Sequence, residues 1–271
     1  MADLVERWLR QQVELGGSEV ILSRSKVEGR GSNDAPAGHS APGTPSALGT
    51  GHPAPDGVTP RWRKDLPPIP GDGLTVEPPA WGLVDDVAGL DSLEAVARVV
   101  AACRKCPLCE GRTRTVPGEG DPAARLMLVG EGPGQTEDAT GRPFVGAAGN
   151  LLDSILTAIE IPRERVFIAN VVKCRPPKNR TPLPEEQEAC LPYLRRQIEL
   201  VRPKVLVALG ATAAAALLGT RKSLGELRGK VHRWGGIPLV ATYHPAALLR
   251  NPNWKRPTWD DVRIARQLLD R

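Results

Sequence analysis

The chain has 271 residues, of which 28 are Gly and 27 Pro, and its 36 Lys and Arg against 31 Asp and Glu leave a formal net charge of +5. No run approaches the roughly 18 apolar residues of a membrane span, and Asp3, Glu6, Arg7 and Arg10 interrupt any apolar leader, so a membrane protein and a secreted one are not expected. An intracellular, reducing location follows, in which the 5 Cys are not a disulfide framework. Charge is uneven along the chain: residues 1–102 carry 9 basic and 14 acidic groups, residues 103–271 carry 27 and 17. A basic domain behind a mildly acidic extension suits a polyanionic partner, with nucleic acid first.

Leu4, Val5, Trp8, Leu9 and Val13 recur at helical spacing before Gly16-Gly17, which predicts a short amphipathic helix over 1–16. Such a helix docks on its own core or on a protein partner. Residues 17–80 read as a disordered linker. Between Gly31 and Pro60, 12 of 30 residues are Gly or Pro, too few apolar groups to offset the entropy of ordering them. The cluster Arg61-Trp62-Arg63-Lys64 is a solvated part of that linker with an alternative use in touching nucleic acid. Residues 81–102 form a helical lead-in, capped by Asp91 or Ser92, with Leu93, Val96 and Val100 on its apolar face.

From residue 103 to 271 strands and helices alternate. Strands are predicted at 125–130, 166–172, 204–210 and 238–243, and helices at 146–159, 184–201 and 211–218. Gly235-Gly236 makes a hairpin turn, and Thr258 with Asp261 resembles a capping pair for the last helix. This order implies an α/β fold with a mostly parallel sheet covered on both faces. Its ligand sites belong at the carboxyl ends of strands, where three segments stand: Glu131–Gly134, the stretch around Asn170, and His244-Pro245.

Cys103-x2-Cys106 and Cys174-x15-Cys190 are two pairs separated by 67 residues. Four converging thiolates suit zinc or an iron–sulfur cluster, and the spacing does not choose between them. Cys109 is a fifth thiol, an alternative ligand or a core residue. The Gly-rich loop Glu131-Gly-Pro-Gly134 after a strand could cradle a phosphate, although it lacks the Lys-Ser/Thr ending of a P-loop.

Read together, the stretch Gly130–Gly146, the segment Asn170-Val-Val-Lys-Cys-Arg-Pro-Pro177, the segment His244-Pro-Ala-Ala-Leu-Leu-Arg250 and the four cysteines are far more specific. Residues 103–271 resemble the family 4, iron–sulfur-containing uracil-DNA glycosylases, with each signature motif in order. The resemblance implies a four-stranded, mostly parallel sheet with helices on both faces, excising uracil from DNA without cutting the backbone; the chain is expected to be a monomer. It also implies a [4Fe-4S] cluster on Cys103, Cys106, Cys174 and Cys190, structural and DNA-positioning in role, with Cys109 outside the ligand set.

The chemistry of such an enzyme gives each motif a task. A uracil inside a duplex must be flipped into a pocket. Phe144 matches the family's stacking residue, with Glu131, Gly132 and Pro133 around the base. Asn170 matches the residue that donates to uracil O4 and accepts from N3–H, a pattern that cytosine reverses. His244 matches the histidine beside O2, where charge develops as the bond breaks; His232 is the competitor without a motif. For orienting water, Glu131 is the first candidate and Glu137 the second, since other branches carry an Asp where Gly132 stands. Glu137 is alternatively placed to crowd the C5 edge and exclude thymine. Leu248, Leu249 and Arg250 match the DNA-binding wedge. Two other classes compete: a damaged-DNA-binding metal protein without turnover, and a nucleotide hydrolase.

Overall fold

Residues 59–77 and 85–271 are described by the computed structural model. The expected helix over 1–16 and the linker up to residue 58 lie outside the described residues. For residues 59–77 the linker expectation needs correction, because they belong to the compact unit that begins at Thr59. Arg61–Arg63 form a 3-10 turn in which Trp62 is 2% exposed. The indole Nε1 of Trp62 donates to Glu160 Oε2 at 3.2 Å, and the Arg266 guanidinium lies over its ring at 4.6 Å. Trp62 is therefore a core anchor and not part of a nucleic-acid surface. A Pro- and Gly-based reading of composition misses it because one buried indole outweighs several polar neighbours.

The sheet has seven strands among the described residues, not four. They are β1 (Asp72–Val76), β2 (Glu119–Gly120), β3 (Leu126–Gly130), β4 (Val166–Asn170), β5 (Val205–Leu209), β6 (Val231–Trp234) and β7 (Ile237–Thr242), in the order β1-β6-β7-β5-β3-β4-β2. The central four, β7-β5-β3-β4, are all parallel. The additional strands extend the sheet at its two sides: β6 returns antiparallel to β7, β1 adds parallel to β6 as one edge, and β2 adds antiparallel to β4 as the other. Gly235 and Gly236 take positive φ of 52° and 79°, as the tight β6–β7 turn requires.

Both faces of the central strands are buried, with alternate residues serving opposite layers. Met127, Val129, Phe167 and Ala169 face one core with Leu194 and Ile198; Leu126, Leu128, Val166 and Ile168 face the other with Leu152 and Val262. The first layer holds α1 (Leu93–Ala102), α4 (Pro184–Val201) and α5 (Ala211–Leu218). The second holds α3 (Ala147–Ala158) and α7 (Lys255–Leu269). Two short helices follow strand ends, α2 (Gln135–Thr140) and α6 (Pro245–Arg250). Ser92 caps α1, accepting from Ala95 N–H at 3.3 Å. The expected Thr258–Asp261 cap is corrected. Helix α7 starts at Lys255, so Thr258 lies inside it and donates back to the Trp254 carbonyl at 2.8 Å. Among the described residues no helix is long and apolar enough to cross a membrane.

Candidate active site

The carboxyl ends of the four parallel strands open into one cleft of about 670 Å³. Glu131, Gly132, Pro133, Glu137, Phe144, Asn170, His244 and Arg250 all line it. The loop after β3 is pinned to the exit of β4 because Val171 and Val172 donate their N–H to the carbonyls of Gly130 at 2.9 Å and Glu131 at 3.1 Å. Sheet hydrogen bonding thus continues past the strands and fixes where Glu131 stands.

Asn170, the last residue of β4, is 1% exposed, yet its Oδ1 has no hydrogen-bond partner. A buried amide oxygen left unpaired is unfavourable unless a ligand completes it. A Cβ at residue 130 would lie 2.4 Å from that oxygen and 2.6 Å from Phe144 Cζ. The glycine there lets the amide and the ring close over the strand end.

Phe144 has a left-handed backbone, φ 50°, a strained state for a bulky residue. It is clamped on both sides. Arg163 donates to the Phe144 carbonyl at 3.1 Å and to the Pro143 carbonyl at 2.6 Å, and it pairs with Asp153 at 2.7 Å. Glu137 Oε1 accepts from the N–H groups of Val145 and Gly146, each at 2.9 Å. Nothing larger than glycine fits at 149, where a Cβ would lie 1.9 Å from the Phe144 oxygen. One oxygen of Glu137 is thereby committed to holding the Phe144 loop.

Glu131 is held differently: its Oε2 accepts from Thr212 Oγ1 at 2.5 Å. Thr212 lies just past β5, another strand end. His244 caps α6, its Nδ1 accepting from Ala246 N–H at 3.1 Å. The ring proton of the neutral imidazole is then on Nε2. Burial, with Arg250 nearby, lowers the His244 pKa to about 4, so the ring is neutral at physiological pH. Its centroid is 5.3 Å from that of Phe144. His232 is no rival. It is buried in β6, Nδ1 accepting from Leu74 N–H at 2.9 Å and Nε2 facing the Leu227 carbonyl at 2.7 Å.

The wedge expectation is corrected at one residue. Leu248 is 2% exposed and packs in the core, whereas Leu249 is 46% exposed. Consecutive residues of a helix project about 100° apart, so one can face the core while the next faces solvent. Cleft residues missed in the sequence include Asn179, Thr212, Tyr243 and Trp254; for Thr212, its place just past a strand was the available signal. Arg163 left none, since its contact with Phe144 spans 19 residues.

All five cysteines line a second, narrow cavity with Lys105, Arg112 and Lys173. Arg112 donates to Cys174 Sγ at 3.2 Å, and the Lys173 N–H donates to Cys190 Sγ at 3.3 Å. Burial raises the Cys190 thiol to about 12 and shifts Cys106 and Cys174 upward as well. Among the described residues no three His, Cys, Asp or Glu side chains are grouped tightly enough to hold a single metal ion. Lys173 also joins this cavity to the cleft, its buried Nζ donating to the Asn170 carbonyl at 2.8 Å and to Gln197 Oε1 at 2.6 Å.

Comparison with known proteins agrees with this geometry. Residues 117–264 match the model of the uracil DNA glycosylase superfamily. The chain is similar to the Type-4 uracil-DNA glycosylase of Thermotoga maritima, at 48% identity over 181 residues, 65% of this chain and 94% of the relative. It is similar to the Type-4 enzymes of Sulfurisphaera tokodaii, at 46% over 188 residues (66% and 86%), and Pyrobaculum aerophilum, at 50% over 168 residues (59% and 86%).

Proposed function

This chain belongs to the uracil DNA glycosylase superfamily, and we propose that the cleft at its strand ends takes in a flipped uracil and hydrolyses the N-glycosidic bond. The reaction leaves an abasic site for base excision repair. The observation that carries this reading is the unpartnered Oδ1 of buried Asn170, in the same cleft as the Phe144 ring and His244.

Phe144 covers one face of the base. The Asn170 amide accepts from N3–H and donates to O4; cytosine offers a bare N3 and an amino group there and leaves buried partners unmatched. As the bond breaks, negative charge gathers on the departing base. The neutral imidazole of His244 donates its Nε2 proton in a hydrogen bond to O2, and that bond strengthens as the charge grows. Glu131, steadied by Thr212, orients the water that attacks C1′. Glu137, engaged by two backbone N–H groups, serves the Phe144 loop, and one of its oxygens remains for the C5 edge. Gly132 and Pro133 shape the wall. Leu249 and Arg250 are the exposed wedge residues that meet the DNA.

The donor set fits a [4Fe-4S] cluster on Cys103, Cys106, Cys174 and Cys190. One zinc draws its sulfurs to about 2.3 Å from a common centre. A cluster gives each thiolate its own iron and accepts wider spacing, together with N–H donors to sulfur of the kind Arg112 and Lys173 supply. When bound, the cluster supplies a structural clip between the start of the domain and the 175–183 loop.

The test incubates the full chain with a uracil-containing oligonucleotide and scores alkali-labile sites and free uracil. Turnover is expected. Binding without turnover would point to a damaged-DNA-binding module, and neither to a nucleotide hydrolase.

A further inference from the structure

Tyr243 precedes the cleft histidine in the chain and lies face to face with Trp254. Their ring centroids are 4.7 Å apart and their planes 2° from parallel. The Arg228 guanidinium lies over the same Tyr243 ring at 4.4 Å. Two planar groups this close to one centroid occupy opposite faces, so Tyr243 is sandwiched. Arg228 is itself fixed, its Nε donating to buried Asp261 at 2.7 Å and its Nη2 to the Pro257 carbonyl at 2.7 Å. The result is a stack of guanidinium, phenol and indole anchored on a partly buried ion pair.

Trp254 ends the stack at the rim of the cleft. Trp254 is 36% exposed although Tyr243 covers one face, and both rings line the cleft that holds Asn170 and His244. Exposed Leu249 stands on the preceding helix. None of the steps above uses the indole.

We propose that the face of Trp254 turned away from Tyr243 is a stacking platform for the nucleobase next to the flipped uracil on the same DNA strand. Flipping one nucleotide deprives its neighbour of a stacking partner. A flat aromatic face at the rim of the same cleft replaces that partner whatever the base, because every base has a π-face. The cation behind Tyr243 and the anchored geometry mean little ordering is left to do on binding. A basic domain, 27 basic against 17 acidic groups over residues 103–271, favours a nucleic acid over an apolar peptide as occupant. The inference rests on the uracil-excision reading and extends it to how the strand beside the lesion is held.

The experiment is a double-mutant cycle with the full chain and single-stranded oligonucleotides. These carry a 2′-fluoro-deoxyuridine that resists cleavage, with either a normal base or a tetrahydrofuran abasic residue on its 5′ or 3′ side. The wild type is expected to bind about tenfold more weakly when the base on one flank is removed. Trp254→Ala is expected to show that loss already with the base present and no further loss without it, and Trp254→Phe to restore most of the affinity. Equal sensitivity of wild type and Trp254→Ala to both abasic flanks, or wild-type binding by Trp254→Ala, would overturn the platform. Should Trp254→Ala fail to fold, Trp254→Leu keeps bulk against Tyr243 without a π-face and carries the same comparison. Release of uracil from the cleavable oligonucleotide by the wild type is scored in parallel. No release overturns the functional reading, and release without coupling overturns the platform alone.

Discussion

Arg163 donates a hydrogen bond to the carbonyl of Phe144 at 3.1 Å, and with its second nitrogen it holds the Pro143 carbonyl at 2.6 Å. The guanidinium thereby stabilises a left-handed Phe144, φ 50°, that the isolated loop would leave. Arg163→Met keeps most of the stem packing and removes these bonds. It is expected to lower kcat/KM for uracil excision about tenfold to a hundredfold and to lower thermal stability as well, since two hydrogen bonds to a charged donor are worth a few kcal/mol. Steady-state kinetics with thermal melts check this. An unchanged kcat/KM in a folded variant would show that Phe144 needs no clamp.

His244 is neutral with a pKa near 4, below the roughly 6.5 of an unfolded chain. The unfolded state therefore takes up a proton between those values that the native state refuses. This contribution to stability is complete above about pH 6.5 and is lost as pH falls toward 4. Single-turnover cleavage is expected to show no step near pH 6.5 and to decline only on approaching pH 4. His244→Ala is expected to slow the chemical step roughly 10²–10³-fold. Cleavage at the wild-type rate with weaker DNA binding alone would remove His244 from the chemistry.

Asn170→Asp preserves shape but replaces the amide donor with a carboxylate that only accepts. Uracil excision is expected to fall by at least a hundredfold, because O4 then faces an acceptor in a buried site. Slight action on cytosine, whose amino group now finds an acceptor, is the accompanying gain. Parallel assays on uracil- and cytosine-containing strands measure both, and a variant as active on uracil as the wild type would refute edge reading by this amide.

Iron content distinguishes the cysteines. The purified protein is expected to be brown, with about four irons per chain. Cys174→Ala should lose the metal and expose the 175–183 loop to proteolysis, whereas Cys109→Ala should retain it. Stoichiometric zinc after anaerobic purification would contradict the cluster.

Truncation separates the extension from the domain. Removal of residues 1–58 is expected to leave uracil excision on short oligonucleotides and the melting of the 59–271 unit nearly unchanged. Removal of residues 1–80 takes away the buried Trp62 indole and strand β1, which is expected to destabilise the domain by about 3–5 kcal/mol or more. Denaturant titrations of the two truncations test the difference. Normal activity in vitro with a defect in cells would support a protein partner for Leu4–Val13.

Much of the architecture was legible along the chain. Continuous apolar runs mark the central strands 126–130, 166–170 and 205–209, and the 184–201 helix starts at Pro184 and ends at Val201 as read. These elements carry local patterns, an unbroken apolar run or a period of 3.6 and a terminal Pro or Gly, and the patterns survive in one dimension. The cleft was legible for the same reason. Parallel α/β connections bring successive strand ends to one edge, so Glu131, Asn170 and His244 had to meet there.

What the one-dimensional pattern lacked was contact between distant segments. Strand β1 carries the weak sequence Asp-Gly-Leu-Thr-Val and exists because β6 offers it a ladder. Trp62 is buried because Glu160 and Arg266 stand where its indole arrives. Glu137 is tied to the Phe144 loop by two N–H groups that nothing in its own segment announces, and Leu248 and Leu249, chemically identical neighbours, part company because only one faces the core. Composition and periodicity record the preferences of a segment. Which side chain is buried, held or left open to DNA depends on what the rest of the chain packs against it, an energy that is absent until the chain folds.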